Sequence, residues 1–165
     1  LALAAGALRA QDAGMNVMVV ETPVGPLSLH EEDGAITRVS WRGAAPAGRS
    51  AVLEEAARQL AAYFAGTRRT FELPLAVQGS ALQRAVCAEM AAIPFGETVT
   101  YGDIARTLGR PAQAIGQACG GNPIPVIIPC HRVLGASGLG GFSGEGGVET
   151  KVALLRHEGA AGLLI

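Results

Sequence analysis

The stretch that most restricts this chain is Asn122-Pro123-Ile124-Pro125-Val126-Ile127-Ile128-Pro129-Cys130-His131-Arg132-Val133. Its three prolines remove backbone donors and push the residues before them into extended conformation, so no helix can run through it. Val126-Ile127-Ile128 is too short for a helix and too apolar for a loop, which predicts a short buried strand ending at Pro129. Cys130 would then stand at the floor of a cleft. A buried thiol is ordinarily a small, inert hydrophobe. His131 and Arg132 alter that reading, because two potentially cationic neighbours favour the nucleophilic thiolate. Adjacency alone does not align them, since successive strand residues point to opposite faces.

The rest of the chain changes character near its middle. From 16 to 42, β-rich runs at Val17-Met18-Val19-Val20, Leu27-Ser28-Leu29-His30 and Ala35 to Trp41 are separated by Pro23-Val24-Gly25-Pro26 and Glu32-Asp33-Gly34. These are hairpin signals and predict an antiparallel meander. After a Pro/Gly loop, Leu53, Ala56, Ala57, Leu60, Ala61 and Phe64 recur at helical spacing over 51–65, with Gly66 as the stop. Phe71 to Leu75 reads as a short extended piece. His30, alone among strand residues, is expected to face solvent or hold a hydrogen bond.

Beyond 79 the signals are helical. Ser80 is an N-cap candidate for a helix carrying Leu82, Ala85, Val86, Glu89, Met90 and Ile93. A helix with Ile104, Ala105 and Leu108 follows, broken at Gly109-Arg110-Pro111, and then a helix of small residues over 112–120. Two short helices joined by a Gly/Pro turn form a helix-turn-helix pattern, common also as a plain packing unit. The small side chains would let the second helix approach a groove closely, and Arg106 and Arg110 suit phosphate contacts. The glycine-rich segment 135–147 lacks phosphate-loop spacing, and its composition favours close approach to a flat ligand. A last helix over 148–158 carries Val152, Leu154 and Leu155, with Glu158 at its end.

The resulting expectation is an α+β (α/β) fold in three parts. Residues 1–14 form a tail, 15–78 a small antiparallel sheet with a helix, and 79–165 a mainly helical domain with the helix-turn-helix and the cysteine. The tail is too short to span a membrane and lacks a basic leader. A formal net charge of −1 offers no global attraction to nucleic acid, so any such contact must be local. Cys87, Cys119 and Cys130 are odd in number and form no C-x-x-C pair, arguing against a disulfide framework or a zinc site. A reduced, cytoplasmic setting fits.

Pro129-Cys130-His131-Arg132-Val133, preceded by Gly121-Asn122-Pro123 and followed by Gly141-Phe142-Ser143-Gly144, resembles the O6-alkylguanine-DNA alkyltransferases, also called methylated-DNA--protein-cysteine methyltransferases. The resemblance runs from about residue 80 to 159, with Val148-x-x-Lys151-x-x-Leu154-Leu155-x-x-Glu158 extending it. It implies repair of DNA by irreversible transfer of an alkyl group from guanine O6 to Cys130, with no cofactor and no metal. The partner would be double-stranded DNA containing O6-alkylguanine, met by a monomer.

Under this resemblance His131 takes the thiol proton and Glu158 orients it. From sequence alone Glu158 would be an exposed helix-end acid. Tyr101 would donate to the purine with Lys151 in support. Gly141, Phe142 and Ser143 would wall the base pocket, with the Ser143 N–H near O6. The carbonyls of Cys130 and Val133 would select guanine. Asn122 and Arg132 would hold the active-site segment, Arg132 also being counted among DNA contacts with Gln113, Ala114, Arg106 and Arg110. Two departures look like core substitutions: Leu82 for an aromatic and Cys87 for a tryptophan. A third matters more. Gln113, at the second helix's third position, replaces the arginine that fills the stack after base extrusion, so weaker binding or slower capture is expected. A lesion sensor that transfers nothing is the main alternative, opposed by Cys130. A thiol hydrolase is another, with no independent sign in the sequence.

Overall fold

The computed structural model describes residues 15–140 and 146–160. The predicted tail therefore lies outside the described residues. The chain divides between Ala76 and Val77 into two compact units.

In the first unit β1 (Asn16–Val20), β2 (Leu27–Glu32) and β3 (Ala35–Ser40) form an antiparallel meander in that order. Asp33 and Gly34 both have positive φ, 51° and 82°, as a two-residue type I′ turn demands. That turn fixes the pairing of Glu32 with Ala35, and a bulge at His30/Glu31 shifts the register onward to Leu29 opposite Val39. Alternation then puts Leu27 and Leu29 in the core, where α1 (Ala51–Phe64) covers the sheet. Fully burying such side chains stabilises by about 1.5–3 kcal/mol each.

Ser50 caps α1 by accepting from the Leu53 N–H at 3.1 Å. Its end is a Schellman closure, with Thr67 N–H to Ala62 C=O and Gly66 N–H to Tyr63 C=O. The buried stripe is Leu53, Ala56, Gln59, Leu60 and Tyr63, while Ala61 is exposed and Phe64 half-buried. The expected stripe is corrected here because Tyr63 packs edge-on against Phe64 and near Phe71, and Gln59 clips the Glu72 backbone from both sides. Leu75 reaches Ile36 only as an isolated bridge. His30 is half-buried, and its Nε2 is buried with no hydrogen-bond partner among the described residues.

The second unit contains α2 (Ala81–Ala91), β4 (Val99–Thr100), α3 (Tyr101–Leu108), α4 (Ala112–Gly120), β5 (Val133–Leu134) and α5 (Val148–His157). Ser80 caps α2 as expected, accepting from Gln83 N–H. At α3 Thr100 and Asp103 cap each other reciprocally, a box worth about 1 kcal/mol and not read from the sequence. Gly109 ends α3 in left-handed conformation, and Pro111 opens α4. The small parallel pair β4/β5 sets Val99 against Val133, placing Tyr101 beside the segment that carries Cys130.

The predicted strand at Val126-Ile127-Ile128 is not formed. Val126 has φ 71°, a conformation costly for a β-branched residue, and the Ile128 N–H turns back to the Ile124 carbonyl at 2.9 Å. The segment is a buried, compact loop instead. Pro129, at φ −82° and ψ 70°, is the centre of an inverse γ-turn closed by Cys130 N–H to Ile128 C=O. Cys130, His131 and Arg132 form one 3-10 turn. Helical rather than extended geometry thus separates their side chains.

Candidate active site

Glu158 organises the site. It follows the last turn of α5, which is closed by a second Schellman pair, Ala160 N–H to Leu155 C=O and Gly159 N–H to Arg156 C=O. Gly159, at φ 62°, supplies the left-handed residue that this closure needs. Glu158 is 5% exposed, so the exposed helix-end acid expected from sequence position alone is overturned. A carboxylate here faces the negative end of a helix. Arg132 answers it with two charge-assisted bonds, Nε to Oε1 at 2.8 Å and Nη2 to Oε2 at 2.9 Å. Arg132 Nη1 donates to the Ile93 carbonyl at 2.6 Å, and its guanidinium lies 5.9 Å from the Phe95 ring centroid. Arg132 is therefore buried structure, which corrects its place among the DNA contacts and supports its role in holding the segment.

His131 is fully buried, and its Nε2 lies 2.7 Å from Glu158 Oε2. Glu158, already accepting from Arg132, also accepts a hydrogen bond from the His131 Nε2–H, which leaves Nδ1 as a lone-pair acceptor. Nδ1 has no hydrogen-bond partner among the described residues. Burial pushes the imidazole pKa below its usual value, more than Glu158 raises it, so the ring is a neutral base near pH 7.

Cys130 is 8% exposed, and burial raises its thiol pKa. What favours the thiolate is a side-chain hydrogen bond from Asn122 and the charge of Lys151. This corrects the sequence argument, in which His131 and Arg132 supplied the charge: one is neutral and the other is committed to Glu158. Asn122 also donates to the Ile128 carbonyl at 2.9 Å and accepts from Ile124 N–H at 3.0 Å, pinning the loop before the nucleophile.

Lys151 is fully buried on α5. Its Nζ donates to the carbonyls of Val133 at 2.7 Å and Leu139 at 2.6 Å, and lies 5.9 Å from the Tyr101 ring centroid. Tyr101 is half-buried, with its pKa raised by burial and by Cys119 and Cys130, so it keeps its proton as a donor. Gly140, at φ 71°, lies close against that ring, since a Cβ there would sit 3.0 Å from Tyr101 Cε2. Gly141, Phe142 and Ser143 lie outside the described residues. Cys119 is buried, with its thiol pushed up to about 12 by burial, and Cys87 is also raised by burial. Among the described residues no three His, Cys, Asp or Glu side chains gather as a metal site.

Gln113 is the second residue of α4 rather than the third, and is exposed, as are Ala112, Gln117 and Gly120. Ala114 is half-buried. Arg110 is exposed, and Arg106 is exposed and paired with Asp103. A Cβ at Gly116 or Gly120 would meet no atom within 4 Å. Glycine in a helix costs roughly 0.8–1.0 kcal/mol relative to alanine, and among the described residues no close neighbour requires it at Gly116.

These features define a class: a buried cysteine followed by a buried histidine bound to a glutamate, in a unit that carries a helix-turn-helix. Residues 81–160 match the model of the 6-O-methylguanine DNA methyltransferase DNA binding domain, and residues 16–77 that of its ribonuclease-like domain. A methylated-DNA--protein-cysteine methyltransferase of Methanosarcina acetivorans is 37% identical over 88% of this chain and 99% of its own length. The constitutive one of Bacillus subtilis is 40% identical over 84% and 92%. The crystal structure of Mycobacterium tuberculosis OGT in complex with DNA superposes with a TM-score of 0.77 at 38% identity, covering 86% of this chain and 91% of that one. The chain belongs to the methylated-DNA--protein-cysteine methyltransferase family. No described helix is long and apolar enough to cross a membrane.

Proposed function

We propose that this chain repairs duplex DNA by moving an alkyl group from guanine O6 onto its own Cys130. The observation that carries this reading is His131 Nδ1, a buried base on the residue after Cys130 with no hydrogen-bond partner among the described residues, its ring fixed by the 2.7 Å contact of Nε2 with Glu158. A guanine inside a duplex is out of reach of any buried sulfur, so the lesion must first be extruded. Nδ1 then takes the Cys130 proton through a bridging water. Sulfur attacks the alkyl carbon in line, forming the C–S bond as the C–O bond breaks. The electron pair leaves on the purine, which takes a proton from Tyr101. Lys151 steadies the Tyr101 side of the pocket and favours the thiolate. The carbonyls of Cys130 and Val133 accept from Val133 N–H and Lys151 respectively, and each keeps a second lone pair for the exocyclic amine of guanine.

The product is a thioether that no base here can reverse, so each molecule acts once. We assign DNA contact to the exposed face of α4, with Arg106 and Arg110 at phosphates and Gln113 and Ala114 at the groove. The open space at Gly116 and Gly120 supports this, because a close-fitting external surface explains glycines that no internal neighbour does. The acceptor is a monomer in a reduced, cytoplasmic setting.

The test is intact mass after incubation with duplex containing O6-methylguanine, followed by peptide mapping. One methyl gain per molecule on the Cys130 peptide, absent in Cys130→Ala, is expected. Lesion-selective binding without mass gain would instead make this chain a sensor.

A further inference from the structure

The Asn122 amide is tied to the Cys130 segment at one carbonyl, that of Ile128, which accepts from Asn122 Nδ2 at 2.9 Å and from the Cys130 N–H at 2.9 Å, and an amide donor beside the thiol favours its thiolate. An asparagine amide has a donor end and an acceptor end, and its sense is set by what each end meets. The acceptor end, Oδ1, meets two donors. One is the Ile124 N–H at 3.0 Å and the other is the Cys87 thiol at 4.0 Å, the outer reach of a sulfur hydrogen bond. The Ile124 bond is local and moves with the loop. Cys87 stands on α2, outside that loop, and is its only one of the two contacts fixed to a helix.

Cys87 is in turn held from the other side. Gln83, one helical turn earlier on α2, donates from Nε2 to Cys87 Sγ at 3.5 Å and to the Ala118 carbonyl of α4 at 2.7 Å. A donor on the sulfur directs the S–H away from Gln83 and toward Asn122. Burial keeps Cys87 protonated, as an S–H donor must be. Space for this contact comes from Gly121, where a Cβ would lie 2.9 Å from Gln83 Oε1. Gly121 has φ −89°, so close approach rather than backbone conformation accounts for the missing side chain.

The geometry points to Gln83 and Cys87 as positioning residues, a hydrogen-bonded relay from the α4 carbonyl at Ala118 through Cys87 that fixes the Asn122 amide and so readies Cys130. The relay touches neither lesion nor reacting atoms. It deepens the alkyl-transfer reading and rests on Cys130 being the acceptor. It also ties the nucleophile to the helix that faces DNA, so that displacement of α4 is felt at Asn122.

The first measurement needs no DNA. Cys130 is alkylated with iodoacetamide across pH, and modification is read by peptide mapping in wild type, Cys87→Ala, Cys87→Ser and Gln83→Met. Releasing the Asn122 amide withdraws a hydrogen bond from the thiolate, so the midpoint of Cys130 reactivity rises by about half a unit to one unit in Cys87→Ala and Gln83→Met. Cys87→Ser, which keeps a donor, restores the wild-type profile. Single-turnover transfer from O6-methylguanine duplex falls about three- to tenfold in the first two variants, with binding of lesion DNA within twofold of wild type. Gly121→Ala, which displaces the Gln83 amide without removing it, gives the same shift and serves if Cys87→Ala does not fold. Reactivity profiles that superimpose for all variants would overturn the relay. Failure of wild type to accept methyl from DNA would overturn the alkyl-transfer reading, while the iodoacetamide profile would still decide whether Gln83 and Cys87 act on Cys130.

Discussion

Two regions of the second unit lie at opposite extremes. Around Glu158, Arg132 and His131 bond the carboxylate, Arg132 Nη1 donates to the Ile93 carbonyl, and His131 Nδ1 has no partner among the described residues. On the outer face of α4, Gln113, Gln117 and two glycines with open space above them have no internal cause for their identity. The first region is specified from within and the second from without. Chemistry and recognition are therefore separable here, and substitutions in each should fail in different ways.

The largest effect is expected at Glu158. Glu158→Ala leaves Arg132 buried without its counter-charge, at a cost of about 3–5 kcal/mol read by chemical denaturation. It also frees the His131 tautomer, and single-turnover transfer falls on the order of a thousandfold. A variant with normal stability and rate would break the claim that this cluster is internally specified.

Gln113→Arg should act in the opposite sense and only on DNA. A cation on the exposed face raises affinity for lesion duplex about tenfold and steepens the dependence of log K on log salt by about one, with the melting temperature unchanged. Unchanged salt dependence would remove α4 from the interface.

Gly116→Ala separates the two causes within one residue. The helix gains about 1 kcal/mol, visible as a melting temperature a few degrees higher, while lesion binding weakens severalfold. A variant that is more stable and binds equally well would show that nothing external sets that position.

The smallest effect is the pH dependence of stability from His131. Burial holds its folded pKa below 6.5, so as pH falls the unfolded chain takes the proton first. The contribution is complete above about pH 6.5 and is lost as pH falls toward the lower folded value. Cys119 has the reverse sign. Its folded pKa of about 12 lies above the ordinary 9.0, so its contribution is intact below pH 9.0 and is lost as pH rises toward 12. Denaturation midpoints against pH in wild type and His131→Gln would check the acid limb.

What was legible in the sequence was mostly local. Asp33-Gly34 announced its hairpin, Ser80 its helix, and Gly109-Arg110-Pro111 the break between α3 and α4, because each acts on its immediate neighbours. The five-residue motif at Cys130 identified the family. Long-range partners were not legible from the residues. Arg132 meets Glu158 twenty-six positions away, and nothing near either residue signals the pairing. Glu158 was placed only through resemblance. The strand expected at 126–128 failed because proline spacing closed a compact loop around Val126 where apolar content suggested extension. β4 and β5, two residues each, were too short for any periodicity to reveal. Lys151 too was singled out only through resemblance, and its bonds to the Val133 and Leu139 carbonyls join residues far apart in the chain.

The Schellman closure after α5 sets a limit for anyone who dissects or fuses this protein. Every side chain of the reactive cluster is present once the chain has reached Glu158, yet the turn that aims Glu158 is completed by the amides of Gly159 and Ala160. A cut or a junction placed between those positions would conserve the full set of catalytic groups and still dismantle the site. A minimal domain therefore has to reach at least Ala160, two residues beyond Glu158.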